Sequence, residues 1–268
     1  MLATEFTHPD DAAALKALES TPLLPQIMKK VMELATEKLY YGLNLATKVK
    51  LSPTQLPEIY HLLPPICQKL GIKEPELYLE MNPSPNAFAQ GETYTSISLT
   101  SGLVEMMTQE ELTAILAHEC GHILCHHMLY HSLVNTLLFD VVGQESLQSI
   151  ITPVYYSLMY WYRKSELSAD RVSAFIAGPK TAISALARLS SGPRSITSNL
   201  NLIELAEQAD LYDKVANDGF WNKTLQMSAV MTLTHPFSSV RIREILRWVT
   251  TDSYKELMRK YSPNQITH

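Results

Sequence analysis

His118-Glu119-Cys120-Gly121-His122 is the stretch on which the reading of this chain turns. Two histidines four residues apart, with a glutamate directly after the first, form the H-E-x-x-H pattern of zinc peptidases. On an α-helix, residues i and i+4 lie one turn apart on the same face, so both imidazoles reach one metal ion. Glu119 projects beside that face, where it can take a proton from a metal-bound water. Upstream, Thr108-Gln109-Glu110-Glu111 reads as a capping box with Thr108 as N-cap. Leu112, Ile115, Leu116, Ile123 and Leu124 then recur at helical spacing, which predicts a long, mostly buried helix under the motif. Gly121 weakens such a helix by about 1 kcal/mol relative to alanine. A glycine there predicts the close approach of another backbone.

Two histidines leave a catalytic zinc one protein ligand short. The extended pattern H-E-x-x-H-x-x-G-x-x-H does not supply it, because Cys125 and Met128 stand at the glycine and third-histidine places. Glu166, in the run Arg163 to Arg171, is the best-placed alternative. Asp170 lies four residues on, so both carboxylates share a helical face. One can ligate the metal while the other accepts the free ring N–H of a ligand histidine. On spacing alone, the same run reads equally as a solvated, mixed-charge helix face. Asp140 and Glu145 are weaker rivals, since neither has a carboxylate partner on its face. His126, His127 and His131 read as a continuation of the motif helix. His126 lies two turns from His118, too far to share one tetrahedral site, and His127 is not read as a ligand.

Around the motif the chain divides at about residue 72. Residues 1–72 read as an N-terminal helical region, with helices broken by Pro22, Pro25, Pro53 and Pro57 and a kink or stop at Pro64-Pro65. Residues 73–268 read as the metallopeptidase domain. After Gly71 the period changes: Leu77, Leu79 and Met81 alternate, as do Ile97 and Leu99, which suggests short strands. Gly178-Pro179 stops the Glu166 helix, and Pro236 suits the first turn of a last helix pair. The expected fold is α+β, mainly helical, with a small sheet beside the motif helix.

Four blocks, in order, resemble the HtpX and CAAX-prenyl-protease family of zinc metallopeptidases, the forty-eighth metallopeptidase family. They are Asn86-Ala87-Phe88-Ala89, His118 to His122, Glu166 to Asp170, and His235-Pro236 followed by Arg241. The resemblance implies a zincin-like (gluzincin) fold and one zinc held by His118, His122 and Glu166. It implies Glu119 as general base, Asp170 supporting a ligand histidine, and His235 and Arg241 stabilising the oxyanion. Asn86 to Ala89 would be the edge strand that aligns substrate. Taken alone, that segment reads instead as a core strand with Phe88 inside, and His235-Pro236 as a helix start. Arg243 is an alternative to Arg241 on spacing, but it does not match the family position.

The family's best-known members are integral membrane proteins. This chain has no apolar stretch of about 18 residues, so no spanning helix is expected. Its most apolar run, Ile151 to Tyr162, is short and interrupted by Thr152, Pro153 and Ser157. The closer likeness is to the soluble bacterial branch of the family. Tyr155, Tyr156, Tyr160, Trp161 and Tyr162 read as core packing, with a substrate wall or a peripheral membrane contact as alternatives. A net charge of −5 argues against a nucleic-acid partner. Met1 to Asp11 lack the basic and apolar regions of a secretory signal. Three cysteines make no disulfide framework, and a reducing, cytoplasmic setting is expected. The reading is a zinc endopeptidase acting on polypeptides. The alternatives are a zinc-containing protein-binding or chaperone-like module, and a peptidase held latent by residues 1–72.

Overall fold

The computed structural model describes residues 1–22, 24–25, 37–140, 148–219 and 237–261, with the backbone alone at 135–140 and 148–153. Helix α1 (Pro9–Glu19) and helix α2 (Glu37–Thr47) precede a two-residue strand, β1 (Val49–Lys50). Helix α3 (Leu63–Leu70) leads into strands β2 (Glu76–Glu80), β3 (Ala87–Gln90) and β4 (Ser96–Thr100). The remainder is helical. It comprises α4 (Ser101–Met106), α5 (Gln109–Leu124), α6 (Met128–Asp140), α7 (Gln148–Ala177), α8 (Pro179–Ser191), α9 (Leu202–Asn217), α10 (Ser238–Val249) and α11 (Asp252–Tyr261). The fold is α+β and mainly helical, with one small sheet.

That sheet has the order β1-β2-β4-β3. Strands β2 and β4 are parallel, with Leu77 opposite Ile97 and Leu79 opposite Leu99. Among the described residues, strand β3 pairs only with β4, antiparallel, and forms the sheet's edge. Leu77, Ile97 and Leu99 join the core with Leu63, Ile66 and Leu70 of α3 and Leu112 and Leu116 of α5. The other face of β4 is also covered. Asn44 of α2 donates to Ser96 Oγ at 3.4 Å, and Lys48 Nζ donates to Ser98 Oγ at 2.9 Å. Hydroxyls can therefore be buried there because each finds a partner. Strand β2 ends before Met81, which is exposed rather than part of the alternating face.

Residues before 73 are not packed apart from the rest. Phe6 lies in the main core, edge-on to Phe175 at 5.4 Å. Ala14 and Leu18 of α1 form a second core with Leu133 of α6 and Leu158 and Trp161 of α7. Pro64 and Pro65 do not break a helix; they lie in the first turn of α3, where a missing N–H costs nothing. As the sequence predicts, α7 stops before Gly178, and Pro179 opens α8.

Candidate active site

Helix α5 opens on the predicted capping box. The Glu111 amide donates to Thr108 Oγ1 at 3.3 Å, and the Thr108 amide donates to Glu111 Oε2 at 3.0 Å. The other carboxylate oxygen of Glu111 accepts from Ser184 Oγ and Arg188 Nε of α8, both at 2.6 Å. Burial alone would raise the Glu111 carboxyl, but these donors hold it below its ordinary value. Further along α5, His118, Glu119 and His122 are all buried.

Helices α5 and α7 touch at Gly121. A Cβ there would stand 2.9 Å from the Cα of Ala169 and 3.2 Å from its carbonyl oxygen. Ala169 lies between Glu166 and Asp170, so the contact that requires glycine also sets both carboxylates against the histidines. His118 Nε2 and His122 Nε2 are 3.1 Å apart. Glu166 Oε2 lies 3.4 Å from the first, and Oε1 lies 3.3 Å from the second. A tetrahedral zinc with ligands at about 2.0–2.1 Å has donor-to-donor edges of about 3.3 Å. The two imidazole nitrogens, and each nitrogen with its nearer Glu166 oxygen, are spaced close to that edge.

The surrounding charge fits a cation as well. Asp170 Oδ1 is 3.0 Å from His118 Nδ1 and, as a carboxylate, takes that proton's hydrogen bond. With its Nδ1 proton held there, His118 would give up the Nε2 proton, not the Nδ1 proton, to an incoming metal. Arg241 of α10 grips Asp170 twice, Nε to Oδ2 at 2.8 Å and Nη2 to Oδ1 at 2.6 Å. Its Nη1 lies 3.3 Å from Glu166 Oε2, and its Nη2 lies 3.2 Å from His118 Nδ1. Burial and the Arg241 charge work against a proton on His118, but Asp170 and Glu166 outweigh them and push its pKa up to about 9. Burial pulls His122 down to about 4. Burial would raise Asp170, yet Arg241 holds it well below the carboxylate range. The carboxylates of Asp170, Glu166 and Glu119 all act on Arg241. Three carboxylates thus face one guanidinium, a concentration of negative charge that a cation bound at the imidazoles would offset.

Strand β3, which carries Ala87 to Ala89, packs against α5, the helix that carries the histidines. Asn86 is exposed, Ala87 and Phe88 are half-buried, and Ala89 is buried. Phe88 does not enter the core; Lys48 Nζ sits 4.6 Å from its ring centre. His235 lies outside the described residues. The aromatic run on α7 divides: Trp161 is fully buried, Tyr156 and Tyr160 are exposed, and Tyr162 stacks on His131 at 4.0 Å. Burial, then Glu166 and Glu119, push the Tyr162 phenol far above its ordinary value, so it belongs to the site's surroundings.

One expectation fails. His126, His127 and His131 do not continue the motif helix. The chain turns at His126, which has a left-handed φ of 59°. The His127 amide donates to the His122 carbonyl at 3.0 Å, and the His126 amide donates to the Ile123 carbonyl at 3.2 Å. This is a Schellman turn with histidine in the place usually taken by glycine. It swings His127 back onto His122, with the two Nδ1 atoms 3.0 Å apart. His122, His127 and His131 thus form a second buried group of donors, sharing His122 with the first.

Over residues 53–249 the sequence matches the model of peptidase family M48. The chain belongs to that family. This M48 chain is 33% identical, over 264 residues, to the Plastoglobule-localized metallopeptidase 48, chloroplastic, of Arabidopsis thaliana, a match covering 96% of this chain and 76% of that protein. It is 28% identical over 211 residues to the Protease HtpX homolog of Sulfurovum sp. (strain NBC37-1), covering 70% and 74%. A shorter match, 36% over 87 residues, is to Protease HtpX of Legionella pneumophila (strain Corby). This M48 chain is a metal-dependent protease of zincin-like fold, a hydrolase of peptide bonds. Among the described residues, no helix is long and apolar enough to cross a membrane.

Proposed function

We propose that the chain is a zinc endopeptidase whose metal is held by His118, His122 and Glu166. The observation that carries this is the buried cluster of donors: the two Nε2 atoms lie 3.1 Å apart, and each has its own Glu166 oxygen within 3.4 Å. Zinc bound there would polarise the scissile carbonyl and make water acidic enough to attack at neutral pH. Glu119 takes the proton from the attacking water and hands it to the leaving amine nitrogen. Asp170 keeps His118 in the tautomer that ligates.

His235 and Arg241 are assigned to the negative charge that develops on the carbonyl oxygen. For Arg241 the support is its position within 3.5 Å of His118 Nε2. Its two bonds to Asp170 also make it the anchor of the carboxylate that orients His118. Substrate backbone would add to the open side of β3, with Asn86, Ala87, Phe88 and Ala89 as its partners. Such pairing reads few side chains, which suits an endopeptidase. The peptidase domain is assigned to residues 73–268, with 1–72 as its N-terminal helical region. A cytoplasmic place for the activity is supported by Cys67, Cys120 and Cys125, all free thiols.

Metal analysis with a casein-cleavage assay tests the reading. The purified protein should carry one zinc per chain, and chelation should stop cleavage. Glu166→Ala should lose the zinc. Stoichiometric zinc at wild-type affinity in that variant would assign the third ligand elsewhere.

A further inference from the structure

His118 has Asp170 to orient it. Among the described residues, the partner of the His122 Nδ1 is not a carboxylate but His127, at 3.0 Å. The Nε2 of His127 lies 3.2 Å from Asp11 Oδ2, on helix α1 and 116 residues away in sequence. Ser168 Oγ donates to the same oxygen at 2.5 Å and accepts from the His8 amide at 2.8 Å. Asp11, His127 and Ser168 are 2%, 3% and 0% exposed. Burial would raise the Asp11 carboxyl, but His127 and Ser168 hold it below its ordinary value.

These contacts have only one consistent direction while His127 is neutral. A carboxylate accepts and does not donate, so the His127 proton sits on Nε2, facing Asp11. The Nδ1 of His127 is then bare and must accept. His122 must therefore carry its own proton on Nδ1. That leaves the His122 Nε2 lone pair pointing at His118 and Glu166, the tautomer a metal needs.

We infer that Asp11 and His127 are positioning residues for the metal, a carboxylate–imidazole relay that fixes the ring and tautomer of His122. The inference rests on the zinc reading above and adds to it. It makes helix α1, which lies ahead of the segment that matches the family model, a working part of the metal site. Two features bring the relay together. The left-handed turn at His126 folds His127 back, and Ala14 and Leu18 pack α1 against α6 and α7. An N-terminal segment built this way supports the centre; it is not a removable cover.

The full-length protein and three variants test the relay: Asp11→Asn, His127→Phe and His127→Gln. Zinc affinity is read by competition with a chromogenic chelator, geometry by the visible absorption of the cobalt-loaded proteins, and folding by far-UV circular dichroism. His127→Phe keeps bulk but cannot relay a hydrogen bond. It should weaken zinc about 10–100-fold and shift the cobalt bands. Glutamine offers an acceptor and a donor in the same order as His127, so His127→Gln should regain most of that loss. Asp11→Asn keeps shape without charge and should fall between them, with native circular dichroism. Wild-type zinc affinity and cobalt bands in both Asp11→Asn and His127→Phe would overturn the relay. Equal loss in His127→Phe and His127→Gln would also overturn it, since bulk alone would then matter. A wild-type protein that takes up no zinc would fail the zinc reading itself, before any variant is compared.

Discussion

Gly121→Ala separates the stability of the fold from the geometry of the site. The new Cβ would meet Ala169 Cα at 2.9 Å, against an ordinary contact of 3.4 Å or more. Helices α5 and α7 must therefore part by about 0.5 Å. Overpacking of this kind costs about 1–3 kcal/mol. Alanine returns about 1 kcal/mol of helix propensity. The net loss is about 0–2 kcal/mol, and each kcal/mol lowers Tm by about 2–4 °C in a chain of this size. The metal should respond more strongly. Ligand distances in a metal site are held to about 0.2 Å, and Glu166 lies one helical turn from Ala169. A 0.5 Å parting exceeds that tolerance, so zinc affinity should fall by at least about tenfold. Thermal unfolding of the metal-free protein and competitive zinc titration measure the two effects separately. Wild-type zinc affinity, or a metal-free variant stabilised by the full 1 kcal/mol or so of helix propensity, would refute the reasoning.

Three further outcomes are expected. Glu119→Gln should keep its zinc and lose about 10²–10⁴ in kcat; wild-type turnover on a peptide library would remove Glu119 from the chemistry. Arg241→Ala leaves Asp170 buried without its cation and should cost about 3–5 kcal/mol in urea unfolding of the metal-free protein, with Arg241→Lys in between; a loss well under 1 kcal/mol or so would show that the pair is not a structural anchor. Glu244 is held down to about 2, first by His8, whose Nε2 lies 3.6 Å from its carboxylate, and then, against burial, by Arg247 and Arg243. Because its folded pKa lies below the ordinary 4.5, its contribution is full above that pH and lost as pH falls toward 2. The stability gap between metal-free wild type and Glu244→Gln should close over that window, and a gap independent of pH would sink the assignment.

The parts of the site that depend on neighbours in sequence were legible. Thr108 and Glu111 cap a helix three residues apart, His118 and His122 share a face four apart, and Gly121 marks a close approach. The Glu166 and Asp170 pair was half legible: spacing put both on one face, but only packing shows that the face is buried against α5. Arg241 was placed by family resemblance, and its bidentate grip on Asp170 spans 71 residues that no local pattern links. The end of α5 was not legible, because the left-handed position carries histidine where glycine would have announced it. Asp11 was hidden for a different reason. It lies on a helix of ordinary composition, and its partner is brought near only by the turn at His126.

Arg241 reaches Asp170 from a helix near the far end of the described chain. Translation supplies residues in order, so His118, His122, Glu166 and Asp170 leave the ribosome before the guanidinium that contacts both carboxylates. A nascent chain stopped before Ser238 holds every proposed zinc ligand and lacks the counter-charge that lets its carboxylates sit dry. The cutting site is thus completed by a helix made after all of its proposed ligands. While it is still being synthesised, among other unfolded chains that any peptidase would find easy to cleave, this protein carries the parts of a blade without the piece that sets it.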